Sequence, residues 1–495
     1  MITISFNAAE AQILGADKKL HDYLHQNLVW IDKKITYKNY QNRNNSWYKA
    51  QNDIKYCYNV RTGKFPTGLL KKAYHLLKTR GVECTFERTY NIPQPVDAQY
   101  PEWAYEHQIR AAELAIKHKR GLIQSPTGSG KTLMGAFIIS RYPNARALIM
   151  VPRVNLLNNV HRTLEDYLKE PVGRVGDSKA DWQRVTVGIA KSLTIHANGD
   201  FKDLLAKQDI LIGDEAHHYG APEVQKVGLA ANNTFMRIGL SATLGRTDGS
   251  DTVLEGMFGP KFLEIREEEM IKIGVTHAPI VKFLRVPGKI PSLDTTRIQE
   301  GALWNVAYEV GIVNNEERNK LVCRLAHKYL SQEGKKGAAL ILIKLKKHGL
   351  ALQSMLENMG SNALYIDGDV KGNLRQKVLD AYRKGGEGGI DCLISTCILD
   401  EGEDVARLEL VINAAGGPGE RQVIQRIGRG QRLDKTGNKD RCIFIDFVDH
   451  LDLNSTSDIL NNHTYKRIEH IENRYYGRVE IINEKKAEEV LLKAE

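Results

Sequence analysis

Short, uninterrupted apolar runs recur from residue 103 onward, each followed by a polar or glycine-bearing turn and then a helical stretch. They lie at 122–124, 147–151, 185–190, 209–213, 236–241, 278–286, 338–343, 363–366, 391–396, 408–414 and 442–447. A strand that is apolar at nearly every position is covered on both faces, the situation in parallel sheets flanked by helices. Functional residues are then expected at the strands' C-terminal ends. The first hundred residues read differently. Strands are expected at 2–6 and along the alternating run 30–37, and 67–81 has the period of an amphipathic helix stopped by Gly81. The expected fold class is α/β: two parallel-sheet lobes in tandem, preceded by a small α+β domain. The expected domains are 1–95, 101–286, 300–449 and a helical tail over 450–495 that is either a docking helix or a frayed end. Pro93, Pro95 and Pro101 mark the first linker, and Pro287, Gly288 and Pro291 mark the connection between lobes.

Charge sharpens this picture at one end. Of the net +10, the first 100 residues carry +7, with 15 Lys and Arg against 8 Asp and Glu. Within that stretch, Tyr37, Tyr40, Trp47, Tyr48, Tyr56 and Tyr58 are interleaved with Lys38, Arg43, Lys49, Lys55, Arg61 and Lys64. Cations neutralise phosphates and aromatic rings stack on exposed bases, so a nucleic-acid partner is expected for this domain. The competing reading is a small aromatic core with a solvated basic face. Six scattered cysteines without a Cys-x-x-Cys pair argue against a disulfide framework or zinc site. No apolar run reaches membrane-spanning length, so a cytoplasmic protein is expected.

The chemistry-bearing stretches fall where the pattern puts strand ends. Residues 125–132, Ser-Pro-Thr-Gly-Ser-Gly-Lys-Thr, lie between an apolar strand and a helix. Pro126, Thr127, Gly128, Ser129 and Gly130 form a loop whose backbone N–H groups can converge on phosphate oxygens at a helix N-terminus. Lys131 would reach the β- and γ-phosphates of ATP, and the Thr132 hydroxyl would hold Mg²⁺. Ser125 stands where the general pattern has glycine. Upstream, Gln108 can read an adenine edge, with Tyr105 or His107 stacking on the ring. The strand at 209–213 delivers Asp214, expected to hold Mg²⁺, and Glu215, expected to position and deprotonate the attacking water. His217 can reach across to Ser241 and Thr243, hydroxyls that can couple hydrolysis to motion. In the second lobe, Thr396 is placed to meet a phosphate and Asp404, after Gly402, a ribose or coupling partner. Gln425, Arg429 and Arg432 follow, the two arginines three apart on one expected helical face, as arginine fingers would be. Arg153, Lys191 and Lys344 sit at or just beyond strand exits, where nucleic-acid contacts are expected.

In this order, Ser-Pro-Thr-Gly-Ser-Gly-Lys-Thr, Asp-Glu-Ala-His, Ser-Ala-Thr and Gln-x-x-Gly-Arg-x-x-Arg resemble superfamily 2 helicases over residues 103–447. The resemblance implies two RecA-like lobes, ATP bound between them, nucleic acid across their top, and translocation by cleft opening and closing. The stretch Gly-Leu-Ser-Ala-Thr-Leu-Gly-Arg-Thr-Asp-Gly and the small basic N-terminal domain further resemble the XPB and phage UvsW-type DNA group. Glu403 and Ala406 depart from the family's usual residues around Asp404. Gln425 stands where RNA-directed DEAD-box enzymes usually have His, which favours DNA. The expected protein is therefore an ATP-dependent DNA helicase or translocase, with Mg²⁺, that remodels forked or branched duplex in recombination, repair or replication. An RNA helicase is the alternative, and no obligate protein partner is evident. A restriction-complex motor would normally bring a nuclease or partner subunit, and no nuclease-like metal cluster is visible in the sequence.

Overall fold

In a computed structural model the chain separates into two units, Met1–Arg266 and Glu267–Glu495. The structure describes residues 2–41, 50–97, 99–197, 199–244, 249, 251–294, 298, 302–333, 337–370, 372–386, 389–396, 407–431, 433, 439, 441–453, 458–475, 477 and 479–492.

The first unit begins with a four-stranded sheet in the order Lys64–Pro66, Glu10–Leu14, Ile2–Phe6, Cys84–Arg88. Along Ile2–Phe6, Ile2 and Ile4 point inward while Thr3 and Ser5 do not, the alternation of a half-covered strand. Helices Lys18–Asn27 and Leu70–Thr79 cover that inner face and bury Leu24, Ala73 and Leu77 with Ile4, Ile13 and Phe65. The Asp17 carboxylate caps the first helix by accepting from Leu20 N at 2.8 Å. Gly81, in the left-handed region at φ 68°, follows the second.

The run 30–37, expected as a strand, is a strand only at Val29–Ile31; Lys33–Gln41 is a helix. Asp32 decides the switch. Its carboxylate faces Ile35 N at 3.4 Å and its carbonyl accepts from Thr36 N at 3.0 Å, which starts a helical turn. Of the aromatic and basic residues singled out between 37 and 64, Arg43, Trp47, Tyr48 and Lys49 lie outside the described residues. Tyr37, Tyr40 and Tyr56 are exposed, whereas Tyr58 belongs to the small core.

The rest of the first unit is an eight-stranded sheet. Its order is Lys179–Asp181, Val172–Gly176, Val185–Ile189, Ala147–Val151, Ile210–Asp214, Met236–Ser241, Arg120–Gln124, Lys261–Glu264. All pairings are parallel except that of Lys179–Asp181 with Val172–Gly176. The strands Ala147–Val151, Val185–Ile189, Ile210–Asp214 and Met236–Ser241 are buried at every position, as their unbroken apolar character requires. The small N-terminal domain is seated on this layer. Ala8 N donates to Asn232 O at 3.2 Å, and Arg120 donates to Ala8 O and to Met257 O. Gly68 lies directly against the helix Asp251–Phe258.

The second unit holds a seven-stranded, all-parallel sheet in the order Ala363–Ile366, Cys392–Thr396, Ala338–Ile343, Leu408–Asn413, Cys442–Val448, Pro279–Arg285, Glu480–Ile482. Two expectations are corrected here. The strand expected to close the first lobe, Pro279–Arg285, pairs along its whole length with Cys442–Val448. That partner is buried at every position, and Phe283 and Leu284 are fully buried beside it. Of the two alternatives for the segment after 450, the docking helix holds and the frayed end does not, and the purely helical reading gives way to a strand as well. Glu480–Ile482 adds the last strand, and Glu484–Leu492 packs Ala487 and Leu491 into the core, with Arg324 donating to both Glu484 oxygens at 2.5 and 2.9 Å. Among the described residues, no helix is long and apolar enough to cross a membrane.

Candidate active site

The loop after Arg120–Gln124 is held before anything binds to it. Gly128 and Gly130 take left-handed backbone conformations at φ 85° and 79°, which side chains rarely tolerate. A Cβ on Gly130 would also stand 2.2 Å from Gln108 Nε2. Ser125, the departure from the usual glycine, is fully buried: its Oγ donates to Ser129 Oγ at 2.6 Å, and Ser129 Oγ donates to Pro126 O at 2.7 Å. The hydroxyl thus braces the loop from within. Ser129 O accepts from Gln108 Nε2 at 3.0 Å and lies 2.9 Å from His107 Nε2, while Gln108 Oε1 accepts from Tyr105 N at 3.3 Å. Both ends of the Gln108 amide therefore engage the protein itself. Tyr105 is exposed and stacks on His107 at 5.7 Å.

At the loop's end, the Lys131 ammonium lies 3.4 Å from Ser125 O, 3.3 Å from Pro126 O and 3.7 Å from Glu215 Oε1. Glu215 adopts φ 50°, a left-handed conformation that is costly for a residue with a side chain. That turn aims its carboxylate between Lys131 and His217, whose Nδ1 is 3.4 Å from Glu215 Oε2. The same Nδ1 is 2.8 Å from Ser241 Oγ, and Ser241 Oγ donates to Thr243 O at 2.7 Å. Because the serine hydroxyl is committed as a donor to Thr243, His217 Nδ1 is the donor to Ser241. Thr243 Oγ1 is buried and makes no hydrogen bond among the described residues. A continuous path of contacts runs from the loop lysine through Glu215 and His217 to the Ser-Ala-Thr stretch.

Asp214 is buried. Desolvation, then the neighbouring Glu215 charge, raises its carboxyl above the usual range, and Lys131 only partly opposes them. Lys131, Thr132 and Asp214 border one small void whose other walls are Gly135, Ile149, Val160, Leu164, Ile212 and Leu240. The Thr132 hydroxyl and the buried Asp214 carboxylate, short of positive charge, are oxygen donors of the kind Mg²⁺ takes. Sequence reasoning missed Tyr219, whose hydroxyl lies 2.8 Å from Met150 O and 2.7 Å from Asp214 O and so ties two strand ends together. Its only trace in the sequence is an aromatic residue five positions after Asp214.

Arg153 and Lys191 each follow a strand end by two residues, after Val151 and Ile189, and Lys344 directly follows Ile343. Lys344 is not a bare cation: its ammonium lies 5.3 Å from the Trp304 ring centre and 4.9 Å from that of Tyr308. Thr396 ends its strand, with a buried Oγ1 that makes no hydrogen bond among the described residues. Gln425 and Arg429, four apart, share a face of the helix Glu420–Gly430 and are both buried. Arg432, Gly402 and Asp404 lie outside the described residues, as does most of the segment 245–250.

Fold and loop define a nucleotide-dependent motor with two parallel-sheet units. The family described as type III restriction enzyme, res subunit, matches residues 102–246, and the helicase conserved C-terminal domain matches 317–434. The chain belongs to the superfamily 2 helicases, a class of ATP-hydrolysing enzymes. It is 25% identical over 384 residues to "Putative helicase 22" of Sulfolobus islandicus filamentous virus, covering 73% of this chain and 65%, just under two thirds, of that protein. It is 23% identical over 360 residues to the DNA 3'-5' translocase XPB2 of Sulfurisphaera tokodaii, covering 66% and 77%. Among solved structures, a fragment of a putative HsdR subunit of a type I restriction enzyme from Vibrio vulnificus shares the fold. Its TM-score is 0.56 at 17% identity, over 78% of this chain and 70% of that one. T4 UvsW aligns over 98% and 99% at 16% identity, with a TM-score of 0.43.

Proposed function

We propose that this chain uses ATP hydrolysis to move along DNA and to remodel branched duplex, by fork regression and Holliday-junction branch migration. The observation that carries the motor reading is the contact path Lys131–Glu215–His217–Ser241, which links a phosphate loop to a second motif through single side chains. In this reading the backbone of 126–130 and the Lys131 ammonium hold the β- and γ-phosphates. Thr132 and Asp214 hold Mg²⁺, which when bound offsets the charge that develops on the transferred phosphoryl group. Glu215 takes the proton of the attacking water. Tyr105 and Gln108 read the base, and Gly402 and Asp404 serve the nucleotide or its coupling. Gln425, Arg429 and Arg432 are the second lobe's contribution to hydrolysis. His217, Ser241 and Thr243 pass the state of the γ-phosphate to the polymer-binding residues Arg153, Lys191, Lys344 and Thr396.

DNA as the polymer is supported by the XPB2 relative, named as a DNA translocase, and by Gln425 in place of His. Branched duplex is supported by the basic N-terminal domain, seated on the first lobe with Tyr37, Tyr40 and Tyr56 exposed. A gripping surface that moves with the motor lobe is what pulling one arm through a junction requires. The test is steady-state ATP turnover with no polymer, single-stranded DNA, duplex, a four-way junction and structured RNA, at fixed salt because phosphate contacts are salt-dependent. Junction DNA should stimulate most and be dissolved on a gel, and Lys131→Ala should remove turnover in every case. Turnover surviving Lys131→Ala refutes the loop assignment, and preferential stimulation by RNA moves the protein to the RNA helicases.

A further inference from the structure

The helix Glu420–Gly430 is reached through residues 414–419, Ala-Ala-Gly-Gly-Pro-Gly. Gly416 and Gly417 both adopt left-handed conformations, at φ 56° and 92°. Such a connection has little stiffness of its own. Two buried guanidinium groups hold it. Arg426, on the helix between Gln425 and Arg429, donates to Gly416 O at 3.2 Å and to Asn413 Oδ1 at 2.8 Å. Arg467, on the helix Ile459–Tyr475, donates to Gly417 O at 2.9 Å. The two are joined through the end of the sheet. Asn413 Nδ2 donates to Asp446 Oδ2 at 2.7 Å, and Arg467 grips both Asp446 oxygens at 2.9 Å. Asp449 completes the set, accepting from Arg318 Nε at 2.7 Å and from Arg467 at 3.4 Å. Arg318, Asn413, Arg426, Asp446, Asp449 and Arg467 are all buried.

We infer that Arg467 is a positioning residue for ATP hydrolysis: through Gly417 O and the relay Asp446–Asn413–Arg426 it sets the placement of the helix that carries Gln425 and Arg429. The inference rests on the proposed role of those two residues. Arg467 lies beyond residue 434, where the helicase C-terminal match ends, in a segment without a motif. Buried ion networks of this kind add little net stability over apolar packing of the same volume; what they impose is geometry. A planar fork that satisfies one carboxylate and one backbone carbonyl together is a task lysine cannot reproduce.

Arg467→Met removes the fork; Asp449 keeps Arg318, while the buried Asp446 loses its ion-pair partner and keeps only Asn413 Nδ2 and Phe447 N as donors, so a loss of stability accompanies it and Arg467→Lys is measured beside it. Basal ATP turnover, which requires no choice of polymer, is measured for wild type, Arg467→Met, Arg429→Ala and the double variant, with hydrogen exchange of residues 420–430 alongside. Arg467→Met should lower kcat about tenfold to 100-fold, because sub-ångström to 1 Å misplacement has effects of that size, and leave KM for ATP within about twofold. Exchange in 420–430 should rise while the strand Ala338–Ile343 stays protected. Added to Arg429→Ala, it should lower kcat no further, because both act through one helix. Unchanged kcat with unchanged exchange, or a fully multiplicative loss in the double variant, overturns the inference. If Arg467→Met does not fold, Arg467→Lys is judged on the same readouts: a smaller drop in kcat with raised exchange supports the fork, and wild-type values refute it. Absence of DNA stimulation would remove the proposed polymer and leave this result standing. If there is no basal turnover at all, the exchange measurement decides the positioning by itself.

Discussion

Replacing Gly68 by alanine tests whether the N-terminal domain moves with the motor lobe. A Cβ at Gly68 would lie 1.8 Å from Glu255 O, 2.5 Å from Gly256 O and 2.8 Å from Gly256 C. Real Cβ atoms do not come within 3.0 Å of such neighbours, so the two surfaces must part by about 1.2 Å or more. The obstacle is helix backbone on the far side, which cannot rotate away. Gly68 is not in the left-handed region, so the penalty is steric and not conformational. Overpacking of this kind costs ~1–3 kcal/mol, and a misfit this deep belongs at the upper end. The cost is capped by the docking energy, because the domain can release the seam instead of bearing the strain. At ~3 kcal/mol the melting temperature of the unit falls by about 6–12 °C. Two controls grade the effect. Gly256→Ala meets Pro66 Cβ at 3.1 Å, a contact short by only a few tenths of an ångström. Gly81→Ala meets nothing within 4 Å and carries only left-handed strain of ~1–2 kcal/mol. The assays are thermal unfolding, chymotrypsin cleavage after Tyr90 at the start of the 91–101 segment, and ATP turnover with single-stranded against junction DNA. Gly68→Ala should expose the 91–101 segment and lower junction-stimulated turnover more than single-strand-stimulated turnover. A melting temperature within about 1 °C of wild type, with an unchanged cleavage pattern, would refute the seam.

Three further outcomes are expected. Ser241→Ala removes the acceptor of His217 Nδ1 and the donor to Thr243 O; ATP turnover should stay within about threefold of wild type while junction dissolution falls at least about tenfold, and equal losses in both would refute the coupling role. Burial, then the nearby Arg318 charge, depresses His348 to about 3, and its Nε2 lies 2.9 Å from Asn319 Oδ1. It is neutral in the fold and protonates on unfolding below its ordinary pKa of ~6.5, so stability is complete above that pH and is lost by ~1.4 kcal/mol per unit as pH falls toward 3. Urea midpoints of wild type and His348→Gln at pH 7 and 5 check this, and a wild-type slope no steeper than the variant's contradicts it. Ser125→Gly restores the usual loop glycine but removes the buried hydroxyl that donates to Ser129; KM for ATP should rise by about twofold to tenfold, as loss of one buried hydrogen bond of ~0.5–1.5 kcal/mol predicts, and an unchanged KM would show that the brace is dispensable.

Patterns that depend on neighbouring residues in the chain were legible. A phosphate loop needs consecutive backbone groups, and a strand that ends in two carboxylates needs adjacent positions. Lys131, Thr132, Asp214 and Glu215 could therefore be singled out by spacing alone, and the structure brings Lys131 and Glu215 within 3.7 Å. The uninterrupted apolar runs likewise called for buried parallel strands, and their periodicity sufficed for that. Asp32 shows the limit of periodicity: an alternating run became a helix because one carboxylate offered a cap.

Which strand joins which sheet was not legible, because edges are chosen by distant partners. Pro279–Arg285 reads the same whether it closes the first sheet or enters the second, and only its pairing with Cys442–Val448 assigns it. The charged-looking terminus hid Ala487 and Leu491 among exposed neighbours, and its salt bridge to Arg324 spans 160 positions. Arg467 and Asp446 are 21 residues apart in different elements, and nothing local ties an arginine in a polar helix to the connection it steadies. By itself the sequence marked the phosphate-loop pattern, the acidic pair at a strand end and most of the buried parallel strands, because those follow from adjacent residues. The tertiary structure decided the lobe boundary, the docking of the N-terminal domain and the bracing of the arginine-bearing helix, because each depends on contacts between residues that only folding brings together.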